Sequence, residues 1–307
     1  MSSKRGKGVN KAAGGAKPSL NRESFSRRQL IFWTSFFLGL ILAVFVSASF
    51  SSAFIKWGVK ASIAIQIVIQ DALVFILPAY IAARFATSRP MRFVMADKAP
   101  SWRAVVFTVL LLLLVTPGLN YIVYLNESLT LPESMSALEQ WMRVTEENAR
   151  AVTDTLLDNN TLAAMAGCVL LVGLLTGFSE ELFFRGALQG IFNAHRVNVH
   201  VSIWFVALVF SVLHFQFFGF VPRLLLGAMF GYLVYWSRSL WTSVIAHTLN
   251  NSVVVVSTYL ISCGCLSTDI DSIGVPADGE FPALAVISLI LTGFLISRRR
   301  YFFPQVG

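Results

Sequence analysis

Long apolar runs, broken by short basic, acidic or Gly/Pro-containing segments, set the plan of this chain. A helix needs about 20 apolar residues to cross a bilayer. About eight runs qualify, near 30–50, 62–83, 104–124, 162–192, 199–217, 222–236, 240–262 and 281–297. The pattern predicts an all-α fold, a polytopic membrane helix bundle of about eight transmembrane helices. It changes after the third run, where Leu138, Trp141, Met142, Ala149, Val152 and Leu156 recur at helical spacing among charged residues. Segment 125–160 is therefore expected to hold an amphipathic helix that covers the bundle at the membrane interface, with Ser136 and Glu139 spaced as a capping box. Pro78 and Thr116-Pro117-Gly118 predict kinks, and Gly227 with Gly231 forms a small-xxx-small pair that lets helices approach closely.

Composition agrees: of 307 residues, 56% are hydrophobic and 13% charged, too apolar a balance for an ordinary soluble domain. The formal charge of +8 would point to nucleic acid in a soluble protein, but here the basic residues flank apolar runs and no nucleic-acid motif is present. They report orientation instead. The N-terminal tail, the 84–103 loop, the 193–198 turn, Arg238 and Arg298-Arg299-Arg300 fall on one side, which the positive-inside rule makes cytosolic together with both termini. Glu127, Glu133, Glu139, Glu146, Glu147, Asp154 and Asp158 face the other side, as do Asp269, Asp271, Asp278 and Glu280; Lys56 and Lys60 run against the trend. Residues 1–28 read as a disordered basic cytosolic tail, 29–300 as the transmembrane domain and 301–307 as a short C-terminal tail. A retained first span is preferred over a cleaved signal peptide. The expected location is integral and multi-pass, in the plasma membrane. Cys168, Cys263 and Cys265 lack metal-ligand spacing.

Ionisable groups at membrane depth are costly and mark function by default. Glu180 and Glu181 lie inside the fourth run, His214 and His247 inside later ones. Three pairs stand four residues apart, Glu181 with Arg185, Phe210 with His214, and His247 with Asn251, so each pair projects from one helix face. Counted from the turn at Arg196, Glu180 lies 16 residues back and His214 lies 18 forward, which makes them level in the membrane. His247 follows Arg238 by nine residues and joins that layer only if its helix starts deeper. A carboxylate and an imidazole facing one site can polarise a water, and an amide with a second imidazole can donate to a tetrahedral oxyanion. Glu181 and Arg185 read as a helix ion pair, Phe210 as packing, and Asp71 as a packing or water-lining group. The residue types also permit a zinc ion on Glu180, His214 and His247, although no metal is expected.

Glu180-Glu181-x-x-x-Arg185, Phe210-x-x-x-His214 and His247-x-x-x-Asn251, in that order over residues 160–255, resemble the CPBP family: the type II CaaX prenyl endopeptidases and Abi-like membrane proteases. The resemblance implies an intramembrane endopeptidase with Glu180 and His214 activating water, His247 and Asn251 stabilising the oxyanion, and Glu181, Arg185 and Phe210 in support. The implied partners are the lipid bilayer and a peptide or protein substrate, prenylated or otherwise hydrophobic at its C-terminus, with no cofactor and no nucleic acid. The alternatives are a non-catalytic scaffold or bacteriocin-immunity-type regulator, and proton-coupled transport.

Overall fold

The computed structural model describes residues 24–158, 161–277 and 280–304. Most of the expected N-terminal tail, Asp278 and residues 305–307 lie outside them. Apolar sequence and polar caps define the helices. Ser24 opens α1 (Phe25–Ile55) by accepting from Arg27 N, and Ser101 opens α3 (Trp102–Glu127) by accepting from Ala104 N. Helix α1 thus includes Phe25–Arg28, which the sequence places in the tail. Between these helices runs α2 (Val59–Ala86), followed by α4 (Ser136–Leu157), α5 (Leu162–Ala194), α6 (Val199–Leu213), α7 (Phe220–Ser237), α8 (Leu240–Ser262) and α9 (Ala283–Ser297). Six of these, α1, α2, α3, α5, α7 and α8, are long and apolar enough to cross a membrane, while α6 and α9 are shorter apolar helices. The protein is an all-α polytopic bundle, with no strand among the described residues.

Three departures from the sequence reading have local causes. Helix α6 stops at Leu213 rather than continuing to 217, because Phe215 takes a left-handed backbone (φ 53°) and turns the chain at His214. Helix α4 lacks the expected capping box: Met135 stands at its N-cap, and the Glu139 carboxylate accepts from Leu131 N at 2.8 Å instead. At Pro117 the missing N–H loosens α3, and Ser288 of α9 fills the break by donating to Leu114 O (2.5 Å) and accepting from Gly118 N (3.0 Å).

Helix α5 is not uniformly α-helical. Val169–Thr176 and Leu182–Leu188 wind as wide π-helical turns on either side of Gly177–Glu181, and Asp71–Ile76 does the same in α2. Each wide turn re-aims the side chains that follow it, and such turns gather at functional sites. Gly173 and Gly177 let α5 lie against Ser252 and Thr248 of α8, where any Cβ would meet those residues at 2.5 and 3.2 Å. In lipid, such close packing and polar contacts hold helices together in place of water exclusion. Behind α5, aromatic rings run from Phe32 through Phe183 and Phe184 to Phe210, at 4.7, 4.9 and 5.1 Å between successive centroids. This buried cluster fixes the back of the segment that carries the glutamates.

Candidate active site

Glu180, Glu181, His214 and His247 come together between α5, α6 and α8. Glu180 Oε2 lies 3.8 Å from His247 Nε2 and 4.0 Å from His214 Nε2. It makes no hydrogen bond to protein, and both Glu180 and His247 are buried. The depth of His247 has a structural origin. The turn before α8 is sunk into the bundle, with Ser239 and Leu240 fully buried and held by Ser239 Oγ to Lys98 O (2.7 Å) and Leu240 N to Met95 O (2.8 Å). The helix therefore starts deep, and nine residues suffice.

Hydrogen bonds at Nδ1 fix both rings. His214 Nδ1 meets Phe210 O at 2.7 Å, and since a carbonyl only accepts, Nδ1 carries the proton. His247 Nδ1 meets Glu181 Oε1 at 2.9 Å, so it too is the donor. In the neutral rings both Nε2 atoms then present lone pairs to Glu180. Three acceptors converge on one point.

Glu181 does more than form the helix ion pair read from its spacing. Its Oε1 accepts from Arg185 Nη1 at 2.6 Å as well as from His247, with the Glu181 and Arg185 side chains fully buried. Arg185 Nη2 donates to Gly227 O at 2.8 Å, and its guanidinium lies 4.7 Å from the Phe210 ring centre and 5.4 Å from that of Phe230. A Cβ on Gly227 would come within 3.3 Å of Arg185 Nη2, so the expected small-xxx-small pair also makes room for this cation. Phe210 packs on the His214 ring at 4.7 Å and on His247 at 6.0 Å, which joins the pairs into one network.

Asn251 is placed differently. One turn beyond His247, its Nδ2 donates to Val172 O in the first π turn of α5 at 3.1 Å, and its Oδ1 accepts from Asn250 at 3.3 Å. One of its two amide N–H groups serves α5, leaving the other for a second acceptor. Asp71, given only a packing or water-lining role from sequence, is fully buried beside this segment, accepting from Thr176 Oγ1 and Ser179 Oγ, both at 2.9 Å. It thus anchors the residue immediately before Glu180. An intramembrane carboxylate was a usable signal, but its partners lie more than 100 positions away. His195 and His200 stand apart, bonded to Ile191 O (3.0 Å) and Tyr232 Oη (2.8 Å).

A metal fit can be tested on this geometry. Zn–N bonds of about 2.0–2.1 Å hold tetrahedral ligand atoms about 3.3 Å apart, whereas the acceptors here are separated by 3.8 and 4.0 Å. As it stands the set is too wide for zinc by about half an ångström, and among the described residues no group of three or more His, Cys, Asp or Glu is arranged to hold a metal.

Comparison with known proteins covers this part of the chain. The Bacillus subtilis (strain 168) protein YpbD, itself described as uncharacterized, is 27% identical over 89 residues, which amount to 28% of this chain and 42% of YpbD. The chain therefore matches less than half of that relative's length. No solved structure matches. The match to a family model is more informative, since it spans the helices that carry the glutamates, both histidines and Asn251. Residues 162–253 match the family described as type II CAAX prenyl endopeptidase Rce1-like, the family that the three helix-face pairs resemble.

Proposed function

We propose that this chain is an intramembrane endopeptidase that hydrolyses peptide bonds with a water activated by Glu180 and His214. The supporting observation is the convergence of Glu180 Oε2 with two oriented imidazoles within 4.0 Å, inside apolar helices. A water there hydrogen-bonds to Glu180 and to the His214 lone pair, and as its oxygen attacks a carbonyl carbon one proton passes to Glu180 while the other stays on the new hydroxyl, oriented by His214. Glu180 then carries the proton to the leaving amine. With a proton taken up from solvent at Nε2, His247 is held through Nδ1 by Glu181, and its Nε2–H is directed at the oxyanion together with the second N–H of Asn251. Arg185 holds Glu181 against both. The substrate is a membrane-associated peptide or protein, prenylated or otherwise hydrophobic at its C-terminus, and the protein works in the plasma membrane with both termini cytosolic and without a cofactor.

One observation keeps zinc as a second reading: the two lone pairs and the carboxylate converge, and Glu181 orients His247 in the manner of a carboxylate behind a metal-bound histidine. A scaffold or immunity-type role would need none of this convergence. The deciding experiment is cleavage of prenylated and unprenylated peptides by purified, reconstituted protein, with Glu180→Gln alongside. Activity lost in that variant at unchanged fold supports the endopeptidase; no cleavage of any hydrophobic peptide by the wild type supports the scaffold.

A further inference from the structure

Away from the glutamates, a pocket of about 840 Å³ opens where α3 and α8 begin and α7 and the segment after α9 end. Its lining carries Arg92, Lys98, Arg103 and Arg238 against a single carboxylate, Asp97. Among the described residues none of these four cations is in an ion pair, although two lie over aromatic rings, Arg103 at 5.6 Å from Trp102 and Arg238 at 5.1 Å from Tyr235. The excess positive charge is thus left facing a concave space.

The walls are built rather than loose. The 94–101 segment is tied to the start of α8 by the Met95 and Lys98 carbonyls described above and by Trp241 Nε1 donating to Ala96 O at 3.1 Å. Met95 and Arg238 adopt left-handed backbone conformations, with φ of 56° and 57°. Non-glycine residues adopt that conformation only where the surrounding structure holds them, so the rim is preorganised. Trp236 and Phe303 form its apolar floor.

Position identifies the ligand's chemistry. The pocket lies at the ends of apolar helices, and Trp102 on its rim is 71% exposed, as expected of an aromatic residue at the membrane–water boundary. One helix face continues from Trp102 into the apolar region through Val106, Leu110 and Leu113, all exposed. A ligand with a phosphate at the cations and hydrocarbon along this face satisfies both halves. We propose that the pocket binds the phosphate head group of an anionic membrane lipid, its acyl chains lying on the exposed face of α3. Neutralising one basic residue near an anionic lipid surface costs about five-fold in apparent affinity.

The test needs no substrate. Purified protein in phosphatidylcholine nanodiscs is titrated with phosphatidylglycerol, and the lipid retained is read by native mass spectrometry, with thermal unfolding in detergent as the second readout. Wild type should retain phosphatidylglycerol over phosphatidylcholine. R92Q/K98Q/R103Q/R238Q, all at exposed positions, should fold and lose that preference at least ten-fold. A charge-matched control, R84Q/R196Q/R298Q/R300Q, removes four exposed or half-exposed basic residues outside the pocket and should keep it. Equal losses in both variants would reduce the effect to general surface charge and overturn the proposal. Stabilisation by inorganic phosphate alone, without phosphatidylglycerol retention, would assign the cations to a free anion and overturn the lipid source.

Discussion

Two adjacent carboxylates here do different work, and the difference lies in what each Oε atom touches. Glu180 Oε2 faces two imidazole lone pairs with no protein donor, while Glu181 Oε1 is bound by Arg185 at 2.6 Å and His247 at 2.9 Å. Glu180→Gln keeps shape and removes the base, so cleavage should fall by at least about 100-fold at unchanged thermal stability. Glu181→Gln leaves an acceptor for Arg185 but weakens the hold on His247 Nδ1. Activity should drop about 10- to 100-fold, through kcat rather than KM, because the Nδ1 partner that orients the His247 ring is weakened. An unchanged kcat per folded molecule with a plain loss of stability would make Glu181 structural. The metal prediction also belongs to this scale. With acceptors 3.8 and 4.0 Å apart, the set suits a water, so active protein should contain well below one transition metal per chain by elemental analysis and survive chelation. Stoichiometric zinc, with zinc-dependent recovery after chelation, would favour the second reading. Spacing alone could pair Glu181 with Arg185, because four residues is one helical turn. Its bond to His247, 66 positions away, depends on how α5 and α8 pack and leaves no local trace.

Helix contacts supply what the pairs lack. Gly227 presents its carbonyl to Arg185, and an added Cβ would press on Phe210 at 3.2 Å and on Ala207 and Arg185 Nη2 at 3.3 Å. Gly227→Val should push on the guanidinium and on the ring and methyl beside it, and overpacking of this kind costs about 1–3 kcal/mol. Thermal unfolding in detergent should show this loss, whereas Gly167→Ala, inside a helix and where an added Cβ meets nothing within 4 Å, should cost no stability and raise it slightly if anything. The α4 helix offers a pH test. The Glu139 carboxyl is held below its usual value chiefly by the Leu131 N–H and then by Arg143, so its contribution is present above the unfolded-state value and is lost as pH falls through the lower folded one. The protection factor of the Leu131 amide, its exchange corrected for the intrinsic pH dependence, should therefore fall on acidification below that range, and in Glu139→Gln it should no longer vary with pH. Apolar runs located most spans because lipid demands some 20 apolar residues. The π turns of α2 and α5 were not legible, since nothing in the composition of Asp71–Ile76 or Val169–Thr176 separates a wide turn from an α-helical one.

At the scale of the molecule, charge separates along the helix axes. Arg92, Lys98, Arg103 and Arg238 gather at the end where α3 and α8 begin. Glu127, Asp154, Asp269 and Asp271 gather with Arg150 at the other end, around a second pocket of about 650 Å³. Burial and the neighbouring Asp269 raise the Asp271 carboxyl above its ordinary value, as crowding of like charge at one end requires. The sequence sorted these residues by loop, and the fold brings together in space segments far apart in the chain, a stronger form of the same asymmetry. The positive-inside rule predicts that the end bearing Arg238 faces the cytosol. Cys263 and Cys265, exposed beyond the far end of α8, are then natural reporters of the outer side, while Cys168 is buried. A membrane-impermeant thiol reagent should label intact cells at Cys263 and Cys265, and a C263S/C265S variant should lose that signal. A cysteine placed at exposed Ser101, in that variant, should react only after permeabilisation. The reverse pattern would invert the bundle and move the lipid pocket to the outer leaflet. Glu180 would then lie the same distance along α5 but be approached from the opposite side, and its peptide substrates would have to be exposed there.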